Sequence, residues 1–266
     1  MNITIGQYYP AKSPIHALDP RVKLLATLLY IAILFVINSP WGYLFVFVCL
    51  CLIVYTSTVP WKMLLKGLRA IIFIILFTVS LNILFTPGDH VLWSFWAFHI
   101  STEGIVLAAK MAVRLVMLIT GSSVLTLTTT PIELTDAIEF ALKPFKKIGV
   151  PAHEIAMMMT IALRFIPTLL EEMDKIMKAQ MARGADFDTG GILKKAKSLI
   201  PLLVPLFISA FRRADELAMA MESRCYRGDI GRTRMKEMRL IPADWRALLI
   251  CLLFVLAVVG IRLVAG

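Results

Sequence analysis

Two arginines, Arg183 and Arg224, stand in matched settings: each closes a helical stretch inside a signature of the form Ala-x-x-small-Arg-small. The signatures read Ala179-Gln180-Met181-Ala182-Arg183-Gly184 and Ala220-Met221-Glu222-Ser223-Arg224-Cys225. A guanidinium is permanently charged and offers donors in a rigid fork that fits a carboxylate, so its chemistry here is recognition rather than bond making. At the C-terminal end of a helix it also faces the negative end of the dipole. A single arginine so placed usually caps and solubilises. Two with matching flanks read instead as a paired docking device. The repeat is not gapless, since the interval from Pro167 to Arg183 is shorter than that from Pro205 to Arg224.

Long helices must carry these ends. From Pro151 onward Met159, Leu163, Ile166, Leu170, Met173, Met177 and Met181 fall at three-and-four spacing, which is one stripe of a helix. Leu206, Ala210, Ala214, Leu217 and Met221 do the same for the second. Glu171 with Lys175, and Asp174 with Lys178, lie one turn apart with the acid first, the favourable order on a solvated face. Gly184 and Gly228 are the expected stops. Ten of the 14 methionines fall between Met157 and Met238. Unbranched and polarisable, such side chains repack against surfaces of different shape, so Met159, Met173, Met177, Met181 and Met221 either form a platform for more than one partner or merely fill gaps between the two helices.

Composition narrows the class. At 59% hydrophobic and 17% charged, with mean hydropathy +0.79, the 266-residue chain is too apolar for a soluble domain, whose charged share is about a quarter. It reads as an integral membrane protein. The net charge of +10 is dispersed along loops and helices, which suits the cytoplasmic-loop bias and argues against nucleic acid as a partner. Cys49, Cys51, Cys225 and Cys251 form no C-x-x-C, and the four histidines have no ligand-like spacing, so no metal site is expected. No phosphate-binding G-x-x-x-x-G-K-[ST] loop occurs. Nor do paired broken spans in two similar halves, the mark of many self-powered transporters. Outside 131–241 the carboxylates are Asp19, Asp89, Glu103 and Asp244, all near span ends. Energy must come from elsewhere.

The opening twenty residues are polar and proline-broken, unlike a signal peptide. Asp19 then serves as an N-cap with Pro20 at the first helical position. Spans are expected over about 22–37, 41–59, 64–85, 104–127 and 245–264, the first short for a bilayer. Thr86-Pro87-Gly88-Asp89 ends the third, and Trp93 to Phe98 resembles an interfacial aromatic belt. Gly104, Ala108 and Ala112 permit close helix packing. Lys110 and Arg114 lie inside the fourth span, where they either snorkel outward or pair with a carboxylate such as Glu103, or else act directly. Thr130-Pro131-Ile132-Glu133 is a capping box that starts a helix running to about Lys143. The apolar halves of the two long helices, Ile155 to Leu170 and Leu199 to Phe211, both fall short of the usual minimum of about 17 residues for a span. If both crossed, Lys175, Lys178, Arg183, Lys194, Lys195 and Lys197 would lie outside, against the positive-inside bias. Residues 131–241 hold 18 of the 28 basic residues, and the loops at 38–41 and 86–103 hold none. The expectation is an all-α polytopic membrane protein of about five transmembrane helices: a four-span membrane domain over 1–130, a cytoplasmic three-helix domain over 131–241 and a last span in 242–266. The N-terminus is then cytoplasmic.

Ala182-Arg183-Gly184 and Ser223-Arg224-Cys225 close the two long helices, Leu163-Arg164-Phe165-Ile166-Pro167 lies upstream, and His16-x-Leu18-Asp19-Pro20-Arg21-x-Lys23 opens the chain. In these features the sequence resembles, over its whole length, the transmembrane T component (EcfT, CbiQ-like) of energy-coupling factor transporters. The second motif departs from the family's usual Ala-Arg-Gly. Tyr226-Arg227-Gly228 follows it, and Arg224 is taken as the counterpart of Arg183 because Ala220-Met221-Glu222 aligns with the first signature. The resemblance implies a non-catalytic subunit of an ABC-type importer in a prokaryotic cell membrane. Two ATPase subunits (A and A′) would bind Ala182, Arg183, Gly184, Ser223, Arg224 and Cys225 on long coupling helices, and a membrane S component would capture a vitamin or metal. The chain itself would hold no cofactor, ATP and magnesium being bound by the ATPases. A stand-alone permease, and a membrane-embedded enzyme or scaffold, remain the competing classes, separated by whether ATPase chains co-purify.

Overall fold

The structure, a computed structural model, describes residues 8–86, 91–95, 98–185, 187, 191–228 and 238–265. In chain order the elements are α1 (Pro20–Val36), α2 (Pro40–Ser57), α3 (Trp61–Phe85), β1 (Val91–Phe95), β2 (Phe98–Ser101), α4 (Thr102–Thr128), α5 (Pro131–Leu142), a 3-10 turn (Lys143–Ile148), α6 (Ala152–Ala182), α7 (Ile192–Ser223) and α8 (Pro242–Ala265). Among the described residues the chain is all-α but for the short hairpin, and it divides into two compact units, Met1–Ala137 with Glu237–Gly266, and Ile138–Lys236.

In the first unit the helix starts are written locally. Asp19 caps α1 by accepting the N–H of Arg21 at 2.9 Å, with Pro20 at the first position. Ser101 caps α4 through Gly104 N–H at 3.0 Å. At α5 the capping box is reciprocal: Glu133 N–H donates to Thr130 Oγ1 at 3.3 Å, and Thr130 N–H to Glu133 Oε2 at 3.1 Å. The core gathers Leu34 from α1, Val46 and Val54 from α2, Met117 and Val124 from α4 and Val258 from α8. Gly121 lets α1 approach α4, since a Cβ there would meet Tyr30 Cε1 at 2.3 Å, and the Tyr30 hydroxyl donates to the Met117 carbonyl at 2.9 Å. Gly104 admits the Asn82 carbonyl of α3, 3.2 Å from where its Cβ would stand.

Outward faces stay apolar, with Phe73 76% and Leu263 80% exposed, as lipid-facing helices require. By length and composition α2, α4 and α8 suffice to cross a bilayer, as does α3 if its 56° bend between Trp61–Arg69 and Ile71–Phe85 lies within one span. At 17 residues α1 is shorter. The expectation that the apolar half of the first long helix falls below spanning length does not hold. That helix, α6, runs unbroken through Pro167 for 31 residues and also passes the length and composition test.

Two further expectations change. Arg114 pairs with no carboxylate among the described residues. Its Nη2 donates to the Tyr43 hydroxyl at 2.7 Å and to the Ile37 carbonyl at 3.1 Å, its Nε reaches the same hydroxyl at 3.1 Å, and the guanidinium lies near the Phe35 and Tyr43 rings. Lys110 instead lines a recess with Thr86, Thr102 and Glu103. The run read as an aromatic belt enters an antiparallel hairpin, in register Trp93↔Ile100, Ser94↔His99 and Phe95↔Phe98. Residues 87–90, from the stretch expected to end the third span, and residues 96–97 lie outside the described residues.

The second unit holds the end of α5, the 3-10 turn, α6 and α7. The helix expected to run to about Lys143 ends at Leu142, where Pro144 favours the tighter turn that Gly149 closes at φ 90°.

Candidate functional site

The two arginine signatures end their helices in the same way. Arg183 caps α6 with φ −88° and ψ 5°, and Arg224 caps α7 with φ −90° and ψ 10°. After each comes a left-handed residue, Gly184 at φ 89° and Cys225 at φ 55°. Two bonds lock each turn. Gly184 N–H donates to Met181 O and Ala185 N–H to Gln180 O, both at 3.0 Å. Correspondingly, Cys225 N–H donates to Glu222 O at 2.8 Å and Tyr226 N–H to Met221 O at 3.1 Å. Arg224 is therefore the positional counterpart of Arg183, and Arg227 lies beyond the cap. The expected stop at Gly228 moves to Cys225, a residue that takes the left-handed turn at a steric cost glycine escapes.

All six signature residues, Ala182, Arg183, Gly184, Ser223, Arg224 and Cys225, are exposed. Neither arginine has a salt-bridge or side-chain hydrogen-bond partner among the described residues, so both forks are open to another molecule. The methionines differ. Met159, Met173, Met177 and Met221 are half-buried, and Met181 is 48% exposed. Leu206, Ala210, Leu217 and Met221 of the α7 stripe are likewise half-buried, whereas Ala214 is exposed.

A second apolar face on α7 escapes the sequence reading. Leu203, Val204, Phe207, Ile208 and Phe211 are each 47% exposed or more, at three-and-four spacing on a helix already apolar on its other side. The signal is present in the apolar run before Phe211, which in sequence looks like a short span rather than two faces. Equally hidden is the contact between the long helices: Glu172 of α6 accepts from Ser209 and, at 3.2 Å, from Arg213 Nη2 of α7. Beyond the second cap, the Tyr226 hydroxyl donates to Met157 Sδ at 3.2 Å and lies 3.5 Å from His153 Nε2, while His153 Nδ1 faces Glu139 at 3.3 Å.

In the first unit the opening motif builds a buried polar knot. Lys23 Nζ donates to the carbonyls of His16 and Thr128, both at 3.0 Å, with Asp19, Glu133 and Asp244 supplying negative charge around it. His16 Nδ1 meets Ser13 Oγ at 2.7 Å, and its Nε2 meets the Tyr9 carbonyl at 3.0 Å. These residues anchor helix ends to each other. Among the described residues no His, Cys, Asp and Glu cluster has the grouping a metal ion needs.

Residues 11–237 match the cobalt transport protein family, CbiQ. The energy-coupling factor transporter transmembrane protein EcfT of Clostridium kluyveri is 58% identical over 255 residues, 96% of this chain and 94% of that one. The EcfT proteins of Lactococcus lactis subsp. cremoris and Bacillus subtilis are each 47% identical, over 243 and 237 residues, covering 91% and 89% of both chains respectively. An all-α membrane chain with twin arginine-capped helix ends, matched over most of its length, thus belongs to the CbiQ family and, within it, groups with the EcfT transporter proteins.

Proposed function

We propose that this chain is the transmembrane coupling subunit of an ATP-driven importer of the energy-coupling factor class. Two cytoplasmic ABC-type ATPase subunits dock on the ends of α6 and α7, one on Arg183 and one on Arg224. A substrate-binding membrane S component for a vitamin or metal ion meets the apolar faces of the same helices. The chain is non-catalytic, and ATP and magnesium belong to the ATPases.

The observation that carries this reading is the identity of the two caps: the same backbone turn presents one exposed guanidinium at each of two helix ends. A paired set of subunits asks for such a duplicated plug, and an arginine seated in a cleft against a carboxylate is a common hot spot. Charge favours the cytoplasm for these ends, because residues 131–241 hold 18 of the 28 basic residues. On this reading α6, though long enough to cross, lies at the membrane surface. Its partner-facing side includes Met159, Met173, Met177 and Met181, joined by Met221 of α7, and the outer stripe Leu203, Val204, Phe207, Ile208 and Phe211 extends it.

The test is co-purification followed by reconstitution. Two ATPase chains should come with this chain in stoichiometric amount. Arg183→Ala and Arg224→Ala should each weaken docking by about 2–5 kcal/mol, the cost of leaving a buried partner charge unpaired, and lower uptake. The double variant should be worse without the losses simply adding, and Arg227→Ala should do less. Uptake by the chain alone, or full uptake by the double variant at a normal ratio of ATP to substrate, would overturn the proposal.

A further inference from the structure

The first nine residues of α3 read Trp61-Lys62-Met63-Leu64-Leu65-Lys66-Gly67-Leu68-Arg69, three cations among side chains that are otherwise apolar or glycine. Lys62, Lys66 and Arg69 fall at spacings of four and three, so they form one stripe about 10 Å long. The opposite face is the packed one. Leu64 is buried in the core, and Gly67 brings the helix against α4, where a Cβ would stand 3.4 Å from Ser123 Oγ. The stripe is therefore turned away from the protein, and all three cations are exposed.

Two features set this stripe apart from an ordinary solvated helix face. It has no counter-charge: the chain carries no carboxylate between Asp19 and Asp89, and none of the three cations makes a hydrogen bond or ion pair among the described residues. On α6, by contrast, Glu171 and Asp174 stand one turn before Lys175 and Lys178. Its flanks are also apolar and open, with Trp61 and Leu65 exposed on one side and Met63 on the other. Cations set between exposed apolar side chains, a tryptophan among them, suit a helix at the boundary between headgroups and acyl chains.

The depth agrees. Gly67 is level with Ser123, five residues before the end of α4, so the stripe lies about 8 Å inside that end. After Arg69 the helix bends by 56°, and the stretch from there to Phe85 is uncharged and exposes Ile72, Phe73, Leu76 and Phe77. One helix thus meets the membrane in two ways. The turn before it is firm, with Val59 buried and Met63 N–H donating to the Pro60 carbonyl at 2.9 Å.

We propose that Lys62, Lys66 and Arg69 form a binding site for the phosphate of an anionic phospholipid. The two ammonium groups and the guanidinium donate to phosphate oxygens, while Trp61, Leu65 and Met63 lie against the acyl chains. The site follows from the membrane class of the chain and needs nothing from the docking reading.

The test uses the full chain with Trp61 as its single tryptophan, the other four replaced by phenylalanine, in phosphatidylcholine nanodiscs. Bromine on a lipid acyl chain quenches a tryptophan that it touches. Brominated phosphatidylglycerol should quench Trp61 more than brominated phosphatidylcholine at the same share. Each of Lys62→Gln, Lys66→Gln and Arg69→Gln should raise the half-quenching share of phosphatidylglycerol about fivefold, and the triple change should abolish the preference. The charge-keeping set Lys62→Arg, Lys66→Arg and Arg69→Lys should retain it. Equal quenching by the two lipids in the parent, or an undiminished preference in the triple glutamine variant, overturns the site. So does loss of the preference on adding inorganic phosphate at constant ionic strength, the mark of a free-anion site. Loss of a co-purifying protein from the triple variant with its lipid preference intact would show a protein contact instead. If the single-tryptophan chain does not accumulate, native mass spectrometry decides: the parent should retain phosphatidylglycerol that the triple variant loses, and equal retention sinks the idea. Failure of the parent to bind ATPases would count against the docking reading and leave the lipid result standing.

Discussion

The Asp244 carboxylate accepts the backbone N–H of Asp19 at 2.8 Å, joining two residues 225 apart in the sequence. Its other oxygen takes the Ile241 N–H at 2.7 Å, and the side chain is fully buried. One carboxylate therefore ties the start of α1 to the start of α8.

Asp244→Ala should strand both N–H groups, at about 1–3 kcal/mol for each buried donor left unsatisfied. Thermal unfolding in detergent should show a clear drop in melting temperature, with Asp244→Asn, which keeps one acceptor, in between. A parent-like melt for the alanine variant would contradict this account of the knot.

Gly121→Ala should push Tyr30 out of its seat, since the new methyl would stand 2.3 Å from Cε1 on a side chain held by its bond to the Met117 carbonyl. Overpacking of this kind costs about 1–3 kcal/mol. Pairing Gly121→Ala with Tyr30→Leu should recover part of the loss. The readout is the fraction of monodisperse protein surviving a heating series, and no recovery in the pair would refute the close-approach argument.

At Cys225 the expected sign is reversed. Replacing it by glycine, the residue that fills the matching position 184, should raise stability by about 1–2 kcal/mol by removing the left-handed penalty at φ 55°. The same melting assay decides it, and ATPase docking should be unchanged because Arg224 keeps its place. Loss of stability in Cys225→Gly would show that the thiol packs to some purpose.

Orientation can be read directly. A single cysteine at residue 190, in a chain whose four native cysteines are serines, should resist an impermeant thiol reagent added to intact cells and react once they are opened. Labelling from outside would move α6 from the membrane surface into the bilayer.

Local rules carry much of the fold. Asp19, Pro20, Thr130 and Glu133 all sit where their chemistry places them, because capping depends on residues three or four apart. Arg183 and Arg224 likewise stand out by their flanking residues. Harder to read are pairings set by tertiary contact. Nothing near Arg114 in sequence points to Tyr43 or to the Ile37 carbonyl, and Asp19 gives no hint of Asp244. Glu172 and Arg213 lie between these cases: each stands at the same offset before its cap arginine, so the repeat holds the clue, but only folding shows that equivalent positions meet. Cys225 misleads for a different reason, since a cysteine in the left-handed region runs against the preference that makes Gly228 the natural stop.

The bond from Arg114 to Ile37, taken with that from Lys23 to Thr128, fixes α1 against α4 at both ends. The turn after α1 is then level with the middle of α4, and the further stretch of α4 from Arg114 back to Thr102 rises about 18 Å past it. Within this unit the two helices differ in length: α1, at 17 residues, is about 25 Å long, less than a bilayer core, whereas α4, at 27, is about 40 Å long. A bilayer core that matches one of these lengths mismatches the other, so where both helices meet lipid the bilayer thins beside α1 or α4 tilts or extends past it.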